Sequence, residues 1–130
     1  MNSTSQDDLA RPEFSVEDHD IDGTTHIVAV AGEVDLYSAP ELKSRVLAAM
    51  ERGKTQLVVD LSGATFIDST TLGVLVGARK RLREHDGSLA VVCPDADKLT
   101  LFEMTGLDRV FSIHPDRDAA LAAVRSGQVD

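Results

Sequence analysis

An apolar segment followed by a helical repeat is the sequence feature that most restricts how this chain folds. Residues 57–61 read LVVDL, which is the pattern of a strand buried inside a sheet. From residue 69 onward, apolar residues recur at the three- and four-residue spacing of an amphipathic helix. A strand, a polar junction and a helix in this order form the repeating unit of an α/β fold.

The same unit recurs along the chain. The pattern predicts strands at residues 14–19, 26–31, 56–61, 89–93 and 110–113, and helices at residues 38–53, 69–85, 95–105 and 116–126. Asp22 and Gly23 predict a hairpin turn between the first two strands, so the sheet should be mixed. Residues 32–37 should form a loop, and Ser38 with Glu41 a capping box. We therefore expect a single α/β domain with about four helices packed on a mixed sheet of four to five strands.

The length of the chain, 130 residues, is sufficient for one such domain with its own apolar core. Residues 1–12 are polar and lack periodicity, so we expect a disordered acidic tail ahead of a domain at residues 13–127. No apolar run reaches the roughly 18 residues of a membrane helix, and the N-terminus lacks the features of a secretion signal. The expected location is therefore the cytoplasm, without a membrane partner.

The charge of the chain argues against a nucleic-acid partner. The net charge is −9, and residues 1–22 contain seven acidic residues and one basic residue, whereas a nucleic-acid surface is normally basic. Cys93 is the single cysteine, which excludes an internal disulfide and a cysteine-cluster metal site. The sequence has neither a glycine-rich phosphate loop nor a cluster of metal ligands, so we expect no metal and no cofactor.

Ser69 is the first candidate for a functional residue. It lies between Asp68 and two threonines at the predicted start of the second helix. Free backbone N–H groups and the helix dipole favour negative charge at such a position, so a phosphate on this serine would be tolerated. The alternative is that Asp68 or Ser69 is only an ordinary N-cap of the helix.

The helix that follows Ser69 divides into two faces. One face carries the residues expected to pack on the sheet: Thr71, Leu72, Leu75, Val76, Ala78 and Leu82. The opposite face carries Ser69, Gly73 and Gly77, although each internal glycine costs about 1 kcal/mol relative to alanine. We hypothesise that a partner protein approaches closely along this face; alternatively, the glycines make room for neighbouring helices. The basic run at residues 79–83 is expected to be a solvated helix end.

Two segments of the chain resemble the STAS domain of bacterial anti-sigma factor antagonists. They are residues 32–40, GEVDLYSAP, and residues 59–75, VDLSGATFIDSTTLGVL. The second segment is the more specific of the two, and the order of elements is similar over residues 14–126. The resemblance implies a STAS fold and a regulatory protein rather than an enzyme.

The resemblance also implies a mechanism of partner switching. In this family the unphosphorylated protein binds an anti-sigma factor that is also a serine kinase, and the sigma factor is released. The kinase, which supplies ATP and Mg²⁺, would then phosphorylate Ser69 and dissociate the complex, and a serine phosphatase would reverse the reaction. Asp35 is implied to assist phosphorylation and Asp68 to shape the loop. The implied partner interface comprises Glu33, Asp35, Ser69, Thr70, Gly73, Val74 and Gly77.

Thr71 departs from the family pattern, because many relatives have glycine at this position. The acceptor serine is retained, so the change concerns the first turn of the helix and the choice of partner. Thr70, beside Ser69, is a second and weaker candidate for the phosphate acceptor.

Three other interpretations stay open at the level of sequence. A receiver-like phosphoprotein would use Asp60 as an aspartyl-phosphate site, with Glu33 and Asp35 holding magnesium. A hydrolase would combine Ser69 with Asp68 and a histidine, the candidates being His26, His85 and His114, although the chain has no Gly-x-Ser-x-Gly elbow. A STAS subunit of another signalling or transport assembly would have the same fold and no sigma-factor partner.

Overall fold

The computed structural model describes residues 14–126, in which helices alternate with strands after an initial hairpin. This range contains five strands: β1 (Phe14–Asp20), β2 (Thr25–Val34), β3 (Gln56–Ile67), β4 (Ser88–Val92) and β5 (Ser112–His114). It also contains four α-helices, α1 (Ala39–Glu51), α2 (Ser69–Glu84), α3 (Ala96–Met104) and α4 (Arg117–Ser126), and a 3₁₀ turn at Leu107–Arg109. The predicted fold class is confirmed, and the tail predicted at residues 1–12 lies outside the described residues.

The five strands lie side by side in the order in which they occur in the chain. β1 is antiparallel to β2, whereas β2, β3, β4 and β5 are mutually parallel. Connections between parallel strands are right-handed. Here the connections from β2 to β3, β3 to β4 and β4 to β5 all proceed in one direction across the sheet. The helices α1, α2 and α3 therefore lie on the same face. The last helix, α4, packs on the opposite face.

Both faces of the central strand β3 are buried, which explains its continuous apolar sequence. Leu57, Val59 and Leu61 belong to the larger core, which lies between the sheet and α1, α2 and α3. The intervening Val58 packs in a smaller core with Val124 of α4. Successive side chains of a strand point to opposite faces, so one apolar run supplies both cores.

β2 and β3 continue beyond the ends predicted from the sequence. The pattern predicts loops at residues 32–37 and after residue 61, but β2 extends to Val34 and β3 to Ile67. The extension is a parallel ladder with two register shifts between residues 29 and 33. Gly32, at one of these shifts, has a φ of 88°, which glycine adopts readily. The shifts interrupt the two-residue period, so sequence periodicity does not reveal this part of the sheet.

The longest helix of the described residues, α2, has 16 residues and packs on the sheet between α1 and α3. Its buried residues are Thr71, Leu72, Leu75, Ala78 and Leu82, as predicted. The prediction is wrong for Val76, which is 42% exposed, because this residue lies at the margin of the apolar face beside Val110. Among residues 14–126, no helix has the length and apolar character needed to cross a membrane.

Candidate functional site

The candidate site lies at the carboxyl edge of the sheet, where β2 and β3 end side by side. Val34, the last residue of β2, is paired with Ile67, the last residue of β3. Asp35 and Asp68 directly follow this pair, and neighbouring strands lie about 4.8 Å apart. The register therefore brings the β2–α1 loop, which contains Asp35, next to Ser69 at the start of α2.

The N-terminus of α2 is capped by Asp68. The Oδ1 atom of Asp68 accepts hydrogen bonds from the backbone N–H groups of Thr70 at 3.0 Å and Thr71 at 3.2 Å. Ser69 is the first residue of the helix and is exposed, and its hydroxyl makes no hydrogen bond within residues 14–126. The helix is thus capped without the side chain of Ser69, which is available to another molecule.

Thr71 joins the two loops of the site. Its side chain is 0% exposed, and its Oγ1 atom donates a hydrogen bond of 2.7 Å to the carbonyl oxygen of Val34. The same hydroxyl lies 3.4 Å from Oδ1 of the capping Asp68. Because Val34 immediately precedes Asp35, this bond fixes the first turn of α2 against the β2–α1 loop. Glycine has no side chain with which to make the bond, so this chain gains a connection that a glycine at the position would not supply.

Asp35 is held by hydrogen bonds within its own loop. Its Oδ1 atom accepts from the backbone N–H groups of Tyr37 at 2.9 Å and Ser38 at 3.1 Å. The hydrogen bond from Tyr37 is the main cause that lowers the pKa of Asp35 below its ordinary value, because it stabilises the charged carboxylate. The second oxygen, Oδ2, makes no hydrogen bond within residues 14–126. Asp35 therefore presents an ionised carboxylate with one oxygen open to a partner.

The capping box predicted at Ser38 and Glu41 is wrong. Ser38 is the N-cap residue of α1 by position, but its hydroxyl makes no hydrogen bond to the helix. Instead, this hydroxyl accepts from the N–H of Asp35 at 2.9 Å and donates to the carbonyl oxygen of Glu33 at 2.8 Å. The tight return of the β2–α1 loop brings these backbone groups within reach of Ser38, so the side chain holds the loop that contains Asp35.

The glycine-containing face of α2 is open to solvent. Ser69, Gly73 and Gly77 are all exposed, and a Cβ atom added to either glycine would have no heavy atom within 4 Å. Packing within residues 14–126 therefore does not require glycine at these two positions. The alternative that the glycines make room for neighbouring helices is wrong for the described residues, whereas the partner hypothesis stays a prediction.

Two exposed apolar residues beside the site were not identified by sequence reasoning. Leu36 is 62% exposed and Tyr37 is 86% exposed, and both follow Asp35 in the β2–α1 loop. Large apolar side chains exposed next to each other are typical of surfaces that bind another protein. The sequence does contain a sign of this exposure: both residues lie in a short loop between a strand and a helix N-cap, and side chains in such a loop do not reach the core.

A groove runs between α1 and α2, beginning next to Ser69. Its volume is about 430 Å³. The residues that line it are Lys43, Val46, Leu47, Thr70, Gly73, Val74, Gly77, Ala78 and Arg81. Four residues of the predicted interface thus line the same groove: Thr70, Gly73, Val74 and Gly77.

Sequence comparisons identify the family of this chain. The STAS domain family model matches residues 16–120. The anti-sigma-B factor antagonist of Listeria monocytogenes is 38% identical over 91 residues, which are 69% of this chain and 80% of that protein. The chain belongs to the STAS-domain family of anti-sigma factor antagonists. The corresponding protein of Bacillus subtilis is 37% identical over 86 residues, which are 66% of this chain and 78% of that protein.

Solved structures of other STAS domains share the fold described above. An anti-sigma factor antagonist from Mycobacterium paratuberculosis has 33% identity and a TM-score of 0.75, covering 87% of this chain and 95% of its own. SpoIIAA in its unphosphorylated form has 17% identity and a TM-score of 0.69, covering 85% of this chain and 98% of its own. The second likeness concerns the fold alone.

Asp60 is not part of a receiver-type site. Asp60 is 3% exposed and accepts hydrogen bonds from the Nε atom of Arg117 at 2.6 Å and the backbone N–H of Ser62 at 2.9 Å. Burial acts to raise its pKa, but these two partners outweigh burial and lower it. Glu33 and Asp35 lie at the carboxyl end of β2, away from this ion pair. No group of three His, Cys, Asp or Glu residues in the described range is arranged to hold a metal ion.

The histidines considered for a hydrolase lie apart from Ser69. His26 is near the start of β2, at the opposite edge of the sheet, and its Nε2 atom lies 2.8 Å from Oδ1 of Asp18. His85 follows the far end of α2, and His114 contacts a serine of its own strand at 2.6 Å. Within the described residues, therefore, none of these histidines is hydrogen-bonded to Ser69.

Proposed function

We propose that this STAS domain is an anti-sigma factor antagonist that is switched by phosphorylation of Ser69. The observation that carries the proposal is the exposed, unbonded hydroxyl of Ser69 at a helix start already capped by Asp68. A serine in this state is accessible to a kinase and does not lose a structural bond when it is modified. The curated relatives in Listeria and Bacillus are named anti-sigma-B factor antagonists, which supports the same role.

The proposed cycle has two partners besides the sigma factor. The unphosphorylated protein binds an anti-sigma factor, which releases its sigma factor and allows transcription in the cytoplasm. This anti-sigma factor is also a serine kinase that supplies ATP and Mg²⁺, and it phosphorylates Ser69. A serine phosphatase restores the binding form. The surface assigned to the anti-sigma factor comprises Glu33, Asp35, Ser69, Thr70, Gly73, Val74 and Gly77, with Leu36 and Tyr37 added from their exposure.

The residues around Ser69 have distinct proposed roles. Asp35 assists phosphorylation, since its ionised carboxylate stands on the neighbouring loop with Oδ2 open. Asp68 holds the start of α2 in the conformation that exposes the acceptor. Thr70 is half-buried in the α1–α2 groove, so it is a less accessible acceptor than Ser69.

Phosphorylation would act on binding rather than on folding. A phosphate adds about −1.5 to −2 charges, which the free N–H groups of a helix start tolerate in the unbound protein. At a closed interface the same group must be desolvated beside Asp35 and Asp68. A difference of about 2.8 kcal/mol between the two states would weaken binding roughly a hundredfold. We therefore expect the far-UV circular dichroism spectra of the two forms to be nearly identical.

The first experiment is affinity capture from native cell extract with Ser69→Ala and Ser69→Glu baits, read by mass spectrometry. We expect the alanine bait to retain an ATPase-type anti-sigma factor that the glutamate bait does not retain. The retained protein, purified, should transfer phosphate from ATP to the wild-type chain and to Thr70→Ala but not to Ser69→Ala. If both baits capture the same unrelated proteins, the chain is a STAS subunit of another signalling or transport assembly.

A further inference from the structure

The groove between α1 and α2 has features that specify the chemistry of its occupant. We propose that it binds an apolar segment of the anti-sigma factor that carries carboxylates opposite Lys43 and Arg81. This inference rests on the proposed function, because it describes the partner that covers Ser69. The proposal states which types of residue the partner's contact segment carries, and the family relationship does not give this information.

The floor of the groove is apolar, with Leu47 and Val74 half-buried and Val46 and Ala78 buried beneath them. Val46 and Leu47 of α1 face Val74 and Ala78 of α2 across a volume of about 430 Å³. This volume lies in the range of clefts that bind a ligand, about 300–1,000 Å³, although the groove is open to solvent along one side. Gly77 leaves the backbone of α2 uncovered, since a Cβ atom there would meet nothing within 4 Å. An apolar side chain of a partner helix can therefore approach the floor closely, as in helix-in-groove recognition.

Two cations stand on opposite walls of the groove. Lys43 lies on α1 and Arg81 lies on α2, and neither makes an ion pair or hydrogen bond within residues 14–126. Some other cations of the described residues are paired, such as Arg117 with Asp60 at 2.6 Å and Arg125 with Asp22 at 3.0 Å. Exposed cations such as Arg52 and Arg109 also have no ion-pair or hydrogen-bond partner in the described range, but they do not flank an apolar floor. In a chain of net charge −9, two cations without a partner beside an apolar floor favour an acidic occupant.

The groove is continuous with the proposed interface at Ser69. Thr70, the next residue along α2, lines the groove. A partner segment that covers Ser69 would therefore extend between the two helices. An acidic segment would also be repelled by a phosphate on Ser69, which adds about −1.5 to −2 charges. The composition proposed for the occupant thus supplies a physical cause for dissociation on phosphorylation.

The test is a charge reversal with a matched control, using the anti-sigma factor retained by the Ser69→Ala bait as the probe. The groove variant carries Lys43→Glu and Arg81→Glu, and the control carries Arg52→Glu and Arg109→Glu, which are exposed residues that do not line the groove. We expect at least a thirtyfold rise in Kd for the groove variant and less than threefold for the control at low ionic strength. The difference between them should shrink as salt is added.

A cross-linking experiment identifies the segment itself. Leu47, a half-buried apolar residue of the groove, is replaced by a photoreactive p-benzoylphenylalanine, which leaves the glycine face of α2 open, and the cross-linked segment of the anti-sigma factor is sequenced. We expect an apolar segment with aspartate or glutamate, and lysine substitutions of those acids should restore binding to the Lys43→Glu, Arg81→Glu variant. A basic segment, a cross-link to a second copy of this chain, or equal Kd values for groove and control variants would overturn the proposal.

The two proposals fail in distinguishable ways. If Ser69→Glu weakens binding while the groove variant behaves like its control, only the composition assigned to the groove is wrong. If Ser69→Glu binds as tightly as Ser69→Ala, or if no anti-sigma factor is retained, the proposed function is wrong and the groove assignment fails with it.

Discussion

The two edges of the sheet use their polar side chains in opposite ways. At the amino edge, the charged groups bind one another: Lys54 donates to Asp20, and Arg125 donates to Asp22 at 3.0 Å. At the carboxyl edge, the hydroxyl of Ser69 has no partner within residues 14–126. These charged groups of the amino edge are bound internally, whereas the β2–β3 end of the carboxyl edge leaves the Ser69 hydroxyl without a partner in the described residues. Elsewhere on the carboxyl edge, Lys98 is paired with Asp95.

The exposed apolar side chains show the same contrast, and the glycines show it only in part. At the carboxyl edge, Leu36 and Tyr37 are the most exposed large apolar residues of their neighbourhood, and Gly73 has open space where a Cβ would lie. At the amino edge the glycines differ: a Cβ on Gly87 would lie 2.5 Å from the carbonyl oxygen of Thr55, whereas a Cβ on Gly23 or Gly53 would meet nothing within 4 Å. The exposed apolar pair at the β2–β3 end of the carboxyl edge is consistent with the proposed partner surface, which the following experiments test.

The largest effect expected from shortening side chains comes from removing the exposed apolar pair Leu36 and Tyr37 at the carboxyl edge. Leu36→Ser combined with Tyr37→Ser should weaken anti-sigma factor binding about thirtyfold, since an interface tyrosine can contribute about 2 kcal/mol or more. Stability should change by less than about 0.5 kcal/mol, because both side chains are exposed. Ile21→Ser, at the exposed turn of the amino edge, is the control and should leave binding unchanged. Equal affinities in calorimetric titrations of all three proteins would contradict the contrast.

The second effect concerns the hydrogen bond from Thr71 to Val34, which joins the two loops of the carboxyl edge. Thr71→Val keeps the shape of the side chain but leaves the buried carbonyl of Val34 without its hydroxyl partner. We expect a loss of about 1–3 kcal/mol in the free energy of unfolding, measured by urea denaturation. Thr105→Val removes an exposed hydroxyl that bonds only within α3 and its end, and should cost less than about 0.5 kcal/mol. Similar losses in the two variants would show that Thr71 is not a special connection.

Much of the fold could be predicted from the sequence, because it depends on periodicity. The helical face of α2 and the continuous apolar run of β3 appear directly in the pattern. The ends of β2 and β3 could not be predicted in this way, since register shifts interrupt the period between residues 29 and 33. The sequence pattern therefore predicts loops where β2 and β3 continue as strands, although these strand ends position the site.

The candidate site was predictable in part, and the reason is again physical. Ser69 and Asp68 could be identified because a helix start has a local signature. The role of Ser38 could not be predicted, because its hydroxyl bonds to Glu33 and Asp35 instead of to its own helix. Similarly, the bond from Thr71 to Val34 spans 37 residues, and no local pattern reports a contact at that separation.

The third effect uses glycines at the two edges, and we expect opposite signs. Gly73→Ala should raise the free energy of unfolding by about 1 kcal/mol, because alanine is the better helix former and its Cβ meets nothing. Gly87→Ala should lower it, since its Cβ would clash with the backbone of the chain before β3. Thermal or urea unfolding of both variants measures the signs.

A bulkier substitution at the same position tests binding. Gly73→Leu should leave the fold intact and abolish binding of the anti-sigma factor, because it fills the open face of α2. Normal binding by a folded Gly73→Leu protein would show that no partner approaches this face.

The smallest effect concerns the dependence of stability on pH at the amino edge. Hydrogen bonds from the backbone N–H groups of Thr24 and Thr25 hold the pKa of Asp22 well below its ordinary value. The folded form therefore binds fewer protons than the unfolded chain, whose aspartates have a pKa of about 3.9. The stabilisation is present above about pH 4 and is lost as the pH falls toward the lower folded-state pKa. Arg125 adds to the same shift through its ion pair with Asp22.

Replacement of this carboxylate by an amide isolates the charge. In Asp22→Asn the side-chain oxygen can still accept from Thr24 and Thr25, so the hairpin turn should persist. The titrating group is gone, and stability measured by urea denaturation should decline less steeply between pH 4 and pH 2 than in the wild type. Asp108→Asn is the control, because Asp108 makes no hydrogen bond or ion pair within residues 14–126. If Asp22→Asn follows the wild-type curve, the charge of Asp22 does not stabilise the amino edge, and its part in the electrostatic contrast between the two edges is wrong.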